Sequence, residues 1–143
     1  LGSVSITGNI SISVSISLNE ATASAEAVTI NSNITQYEVR VASYLGSNKY
    51  FIDSVVTPTL NLSEGNTYIF DQSDSSNSGH PLRFSTTSDG THNSGTEYTT
   101  GITTNGTPGS SGAYTQIVVA SGAPTLYYYC TNHSGMGGQA NTP

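Results

Sequence analysis

Four residues of this sequence carry side chains that bind soft transition metals. Cys130, His133 and Met136 follow one another at intervals of three residues, directly after the aromatic run Tyr127–Tyr129. His80 lies far upstream and follows a glycine. A thiolate, two imidazoles and a weak axial thioether make up the ligand set of a blue-copper site. The residue types and their spacing therefore predict a copper site formed by His80, Cys130, His133 and Met136.

This ligand set suits a redox-active ion, because soft sulfur and borderline nitrogen donors accommodate copper both as Cu(I) and as Cu(II). A tight loop after a strand places three ligands on one side of the ion. A fourth ligand from a distant strand end ties the site to a rigid sheet. Taken singly, a cysteine at a strand end is more often a small buried hydrophobe. Two outcomes therefore stay open at this stage: a bound copper ion, and the same four residues packed as a metal-free cluster.

Short strands separated by turn residues dominate the sequence around these ligands. Apolar and serine residues alternate strictly from Ile10 to Leu18, with the period of two that is typical of a strand with one buried face. Further strands are predicted at Tyr37–Val41, Tyr50–Ile52, Thr59–Leu62, Thr67–Phe70, Pro81–Phe84, Tyr114–Val119 and Leu126–Tyr129. This pattern predicts an all-β fold, either a β-sandwich or a barrel.

Residue composition and strand pattern differ along the chain and predict two regions. Residues 1–45 are expected to form an N-terminal β-strand segment, either an extra strand layer of the same domain or an arm towards a neighbouring domain. Residues 46–143 are expected to form the sandwich domain. Within that domain, residues 85–112 are dominated by Ser, Thr, Gly and Asn and are predicted to be a long loop, with room for one short turn of helix or strand. His92 lies in this loop and is expected to be solvent-exposed.

Composition argues against several classes of protein. Only 8% of the 143 residues are charged, which argues against a coiled coil or a helical bundle. The formal net charge is -6 with only three Lys and Arg residues, so neither a nucleic-acid partner nor an anionic membrane is expected. No apolar run approaches the ~20 residues that span a bilayer, so membrane insertion is not expected. The sequence lacks a Gly-x-Ser-x-Gly elbow and a phosphate-binding loop, and an enzyme is not expected.

Several motifs between residues 49 and 138 occur together in one known family. They are the Pro58–Phe70 segment with its Glu-Gly-Asn turn, the Gly79-His80 pair, and the ending Tyr-Tyr-Cys-x-x-His-x-x-Met-x-Gly. On these motifs the chain resembles the cupredoxin family. The resemblance implies a cupredoxin-like Greek-key β-sandwich that binds copper.

The resemblance also implies a role for each ligand. His80, Cys130 and His133 would be equatorial ligands and Met136 the axial ligand, and the carbonyl of Gly79 would add a weak axial contact. The chain departs from the family at the residue after His80. Cupredoxins commonly place a residue with a usable amide there, whereas this chain has a proline, which has no amide hydrogen.

A second resemblance concerns the setting of the domain. The stretch Phe70–Phe84, together with the Gly-Thr-Pro-Gly loop at 106–109, is similar to cupredoxin-like modules in structural proteins of marine bacteriophages. It implies a structural or adhesive module of the fibre or decoration type on a virion or extracellular surface. Such a module would form a homo-oligomer or contact other structural proteins of a particle. The start at Leu1 fits a processed chain or a piece of a longer one. The alternative is a soluble blue-copper electron-transfer protein.

Overall fold

Twelve strands and two short 3-10 turns make up the regular structure of the part of the chain that is described. The computed structural model describes residues 9–16 and 26–143, with side chains from residue 33 onward. The strands are β1 (Asn9–Ile16), β2 (Glu26–Tyr44), β3 (Ser47–Ile52), β4 (Val55–Val56), β5 (Leu60–Asn61), β6 (Thr67–Asp71), β7 (Leu82–Ser85), β8 (Glu97–Tyr98), β9 (Ile102–Asn105), β10 (Tyr114–Val118), β11 (Leu126–Cys130) and β12 (Gly138–Asn141). The 3-10 turns are Ser75–Asn77 and Gly90–Asn93. Across these residues, no helix has the length and apolar character needed to cross a membrane.

The strands form two mixed sheets that pack against each other. The first sheet has the order β4-β3-β2-β6-β10-β9, and β1 pairs with β2 beside this path. The second sheet has the order β5-β12-β11-β7-β8. Most neighbours are antiparallel, but β2 runs parallel to β6 and β12 runs parallel to β5. The predicted all-β sandwich is confirmed, while the Greek-key connectivity stays a prediction.

Alternating burial along the strands explains how the sandwich closes. On β6, Tyr68 and Phe70 are buried between half-exposed neighbours, and on β7 Leu82 and Phe84 are buried. Phe70 and Phe84 meet between the two sheets, with ring centroids 5.3 Å apart and an interplanar angle of 67°. Such edge-to-face pairs contribute about 0.5–1.5 kcal/mol beyond the burial of the rings. This contact therefore joins the two layers at their centre.

The N-terminal region contributes to the first sheet. The alternating segment forms β1 as far as Ile16, and its remaining residues, Ser17 and Leu18, lie outside the described part. The first half of β2 pairs with β1 in antiparallel register up to Asn33. The second half pairs with β6 over residues 34–38 and with β3 over residues 39–44. Residues before 45 thus supply an inner strand of the sheet and a two-stranded ribbon, while the division of the chain at residue 45 stays a prediction.

The polar stretch 85–112 contains more regular structure than its composition indicates. It holds the Gly90–Asn93 turn and two short strands, β8 and β9. β8 pairs with β7 at an edge of the second sheet, and β9 pairs with β10 at an edge of the first. β9 is mostly exposed. Edge pairing needs backbone hydrogen bonds rather than an apolar pattern, so the composition of this stretch carried no signal for these strands.

Replacing Phe84 with alanine should destabilise the fold, because it empties a fully buried site between the sheets. We expect a loss of roughly 3–5 kcal/mol in the free energy of unfolding. Urea denaturation followed by circular dichroism measures it. Val118→Ala is the matched control, since Val118 is 42% exposed. A loss below ~1 kcal/mol for Phe84→Ala would contradict the central role of this contact.

Candidate metal centre

Strand pairing brings His80 and Cys130 together across 50 residues of chain. Cys130 is the last residue of β11, and it pairs with Leu82, the first residue of β7. Because β7 and β11 are antiparallel, the residues just before β7 lie beside those just after β11. His80 is two residues before Leu82, and His133 is three residues after Cys130. Both imidazoles therefore reach the same end of the second sheet as the thiol.

The thiol of Cys130 lies between the two imidazole rings. Its Sγ is 3.7 Å from Nδ1 of His80 and 3.6 Å from Nδ1 of His133. One candidate ligand atom from each of the three residues lies within 4.8 Å of the others. The ring centroids of the two histidines are 4.6 Å apart. The structure thus brings three of the four predicted ligands into one group.

These distances fit a metal ion held by all three side chains. With a metal–sulfur bond of about 2.3 Å, metal–nitrogen bonds of about 2.0 Å and angles of about 110–120°, sulfur and nitrogen on one ion stand about 3.5–3.7 Å apart. Both observed separations are close to that range. A thiol that donates to one ring and accepts from the other would give the same two contacts without a metal. The group could hold a metal.

Burial differs among the four candidate ligands and separates a buried side of the group from a side that faces solvent. Cys130 is fully buried, and Met136 is 1% exposed and belongs to the same buried cluster as Cys130. His80 is partly buried and His133 is exposed. The backbone carbonyl of Met136 accepts a hydrogen bond from the amide of Tyr50, which attaches the end of the ligand loop to β3. Cys130 and Met136 therefore lie on the buried side of the group, and the imidazole of His133 lies at the solvent.

A buried polar network holds the backbone of His80. Its carbonyl accepts hydrogen bonds from the hydroxyl of Tyr50 at 2.7 Å and from Nε2 of Gln72 at 2.8 Å. Oε1 of Gln72 in turn accepts from the amide of Leu82 at 3.0 Å. The amide of His80 donates to the carbonyl of Asn77 at 2.8 Å. Two buried side chains, Tyr50 and Gln72, thus hold the loop that carries His80 in place. The sequence did not indicate this role for either residue.

Two hydrogen bonds tie the His80 loop to the Cys130 loop. Nδ2 of Asn132 donates to the carbonyl of Gly79 at 3.0 Å, and the amide of Thr131 donates to the carbonyl of Pro81 at 3.2 Å. Although Pro81 has no amide, its carbonyl takes part in this connection. The weak axial contact implied for the Gly79 carbonyl stays a prediction, and at least one lone pair of that oxygen is engaged by Asn132.

Electrostatics favour the metal-binding form of His80. Burial, and then the neighbouring His133 imidazole, lower the pKa of His80 below its usual value. A lowered pKa keeps the ring neutral, and a neutral imidazole is the form that binds metals. Burial raises the pKa of Tyr50 well above its usual value, and the nearby Cys130 adds to the rise. Tyr50 therefore stays a neutral hydroxyl that donates to the His80 carbonyl.

The prediction that His92 is solvent-exposed is confirmed, and its ring also contacts the backbone of Cys130. His92 is exposed to solvent, and its Nε2 lies 2.7 Å from the carbonyl oxygen of Cys130. Its ring meets that of Tyr129 edge-on, with centroids 6.3 Å apart. The partner is a backbone atom 38 residues away, so no sequence motif marks the contact. His92 thus adjoins the candidate site without being one of the grouped ligands.

Gln72→Leu should destabilise the protein, because it leaves the Leu82 amide without its buried acceptor and removes a donor from the His80 carbonyl. An unsatisfied buried polar group costs about 1–3 kcal/mol. Urea denaturation measures the change, with Gln116→Leu on the half-exposed side of β10 as control. Equal stability of the two variants would show that the network under His80 contributes little.

Comparison with protein-family models, curated proteins and solved structures finds no match for this chain. The cupredoxin and phage-module resemblances therefore stay predictions that rest on the motifs quoted above. What stands independently of them is a β-sandwich with a His-Cys-His group at one end, which could hold a metal.

Proposed function

We propose that this domain binds one copper ion through His80, Cys130, His133 and Met136 and serves in electron transfer. The observation that carries the proposal is the placement of a buried thiol at 3.6 and 3.7 Å from two imidazole nitrogens. When bound in such a ligand set, copper supplies one-electron exchange between Cu(I) and Cu(II). The remaining chemistry belongs to the side chains and the loops that hold them.

The donor set favours copper over zinc. Structural zinc sites use four thiolate, imidazole or carboxylate ligands, and thioethers are not among them. Here the fourth candidate is the thioether of Met136, which is buried in the same cluster as Cys130. One thiolate, two imidazoles and a thioether match copper instead. The choice of metal thus rests on the chemistry of the donors rather than on their distances, which zinc would also satisfy.

The burial of the ligands supports exchange of electrons with an outside partner. Cys130 and Met136 are shielded from water, so the sulfur atoms are protected from oxidation and competing ligands. His133 is exposed at the surface. An electron partner that docks over His133 would approach the site without opening the sandwich. The hydrogen bonds between the two ligand loops limit their rearrangement when the charge of the site changes.

A second candidate is a structural module of a particle or extracellular surface built on the same sandwich. The observation in its favour is the β1–β2 ribbon, in which residues 9–16 pair with residues 26–33. Among the residues that the structure describes, β1 pairs only with β2, and its other edge would be open to other copies or to neighbouring proteins. Sedimentation of the full chain separates the candidates: a monomer at micromolar concentration favours the carrier, and a defined homo-oligomer favours the module.

Cu(II) added to the metal-free protein should give an intense visible charge-transfer band from the Cys130 thiolate. Cys130→Ser should abolish the band, because the hydroxyl is a poor copper ligand, while the far-ultraviolet circular dichroism stays that of the wild type. Absorption titration with one equivalent of Cu(II) measures both. A colourless wild-type complex would contradict the thiolate–copper proposal. Loss of the fold in Cys130→Ser would instead assign the cysteine a mainly structural role.

Met136→Leu should retain copper through the other three ligands but raise the reduction potential. The axial ligand tunes that potential, and removing a sulfur donor disfavours Cu(II) relative to Cu(I). Leucine keeps the volume of the buried side chain, so stability should change by less than ~1.5 kcal/mol. Protein-film voltammetry measures the shift. An unchanged potential would show that Met136 is packing rather than a ligand.

A further inference from the structure

One short turn contacts both ends of the candidate ligand loop. The loop runs from Cys130 to Met136, and the turn is formed by residues 89–92. Nε2 of His92 lies 2.7 Å from the carbonyl of Cys130 at the start of the loop. Oδ1 of Asp89 accepts a hydrogen bond from the amide of Gly135 at 2.9 Å, one residue before the end of the loop. The two contacts span the loop from one side.

The turn is held in place by packing as well as by hydrogen bonds. A side chain at Gly90 would come within 2.6 Å of the ring of Tyr129, the residue before Cys130. Gly90 has a φ of 52°, and Asp89 has a φ of 60° in the left-handed region, which is unfavourable for a residue other than glycine. The ring of His92 also packs edge-on against Tyr129. The turn thus packs closely against β11 with a strained backbone conformation at Asp89.

The two peptide groups that flank the Cα of Gly135 are each held by a hydrogen bond. Its amide donates to Asp89, and its carbonyl accepts a hydrogen bond from Nζ of Lys49. Gly135 has a φ of 73°, a conformation that side-chain-bearing residues rarely adopt. The acceptor on Asp89 and the cationic donor of Lys49 therefore orient two successive peptide groups, the second of which joins Gly135 to Met136.

The chemistry of His92 follows from its partner. A backbone carbonyl can only accept, so Nε2 of His92 carries the hydrogen in this contact. The carbonyl it engages belongs to the residue that supplies the thiolate. Partners that orient a metal ligand in this way typically change metal affinity by 10–100-fold when they are removed.

We propose that residues 89–92 form a strap that positions the Cys130–Met136 loop, with His92 and Asp89 as its two positioning residues. The inference rests on the proposed copper site and adds to it two residues that are not ligands. The strap presets the loop before the metal binds. Its removal leaves the ligands present but lowers the affinity for copper and changes the reduction potential.

The test compares paired variants of the full chain. His92→Leu and Asp89→Ala remove the two contacts, whereas His92→Gln keeps a donor and Asp89→Asn keeps an acceptor at similar reach. Asn93→Ala, at an exposed residue directly after the strap, is the control. Copper affinity is measured by chelator competition and the reduction potential by voltammetry. We expect a loss of affinity of about 10-fold or more and a shifted potential for the removing variants, with rescue by the conservative ones.

A metal-free measurement makes the outcome independent of copper binding. Amide exchange at Gly135 should speed up in Asp89→Ala but not in Asp89→Asn, and the ¹³C carbonyl resonance of Cys130 should shift in His92→Leu more than in His92→Gln. If the wild type binds no copper, the proposed function fails, and these signals still decide whether the strap exists. If the wild type binds copper and the removing variants behave like Asn93→Ala in every measurement, the strap is overturned while the copper site stands. A loss without rescue by Gln or Asn also overturns it.

Discussion

The placement of one buried thiol between two imidazoles is the constraint on which the rest of the site depends. Cys130 is fully buried at the end of β11. The two Sγ–Nδ1 separations leave a position at which one ion contacts all three side chains. The fold places these groups by backbone pairing between β7 and β11, so the site follows directly from the sandwich.

Around this group, the surroundings restrict movement of the ligand loops. Tyr50 and Gln72 hold the His80 carbonyl from the core, and Asn132 links the two loops at the surface. His92 contacts the carbonyl of Cys130 at the start of the second loop. A site whose ligands are fixed before the metal arrives changes little between oxidation states, and this is the property that a one-electron centre needs. The same rigidity would serve a structural module.

Sequence reasoning succeeded where the signal was local and failed where it depended on distant backbone atoms. The Cys130–Met136 spacing and the alternation that predicted β1 each lie within a few residues, and so they could be identified directly. His80 could be added because a strand predicted to start at Pro81 placed it at a sheet end. His92 and Gln72 could not be assigned, since their partners are main-chain atoms supplied by other parts of the fold. β9 was not predicted, because an exposed edge strand of Ile, Thr and Asn shows no alternation of apolar and polar residues.

Copper K-edge X-ray absorption of the copper-loaded full chain tests the central claim most directly, because it identifies the atoms bonded to the metal. We predict a first shell of one short sulfur and two nitrogens, supplied by Cys130, His80 and His133. The sulfur contribution should vanish in Cys130→Ser. A first shell made only of nitrogen and oxygen in the wild type would contradict the account, since it would place the ion away from the buried thiol.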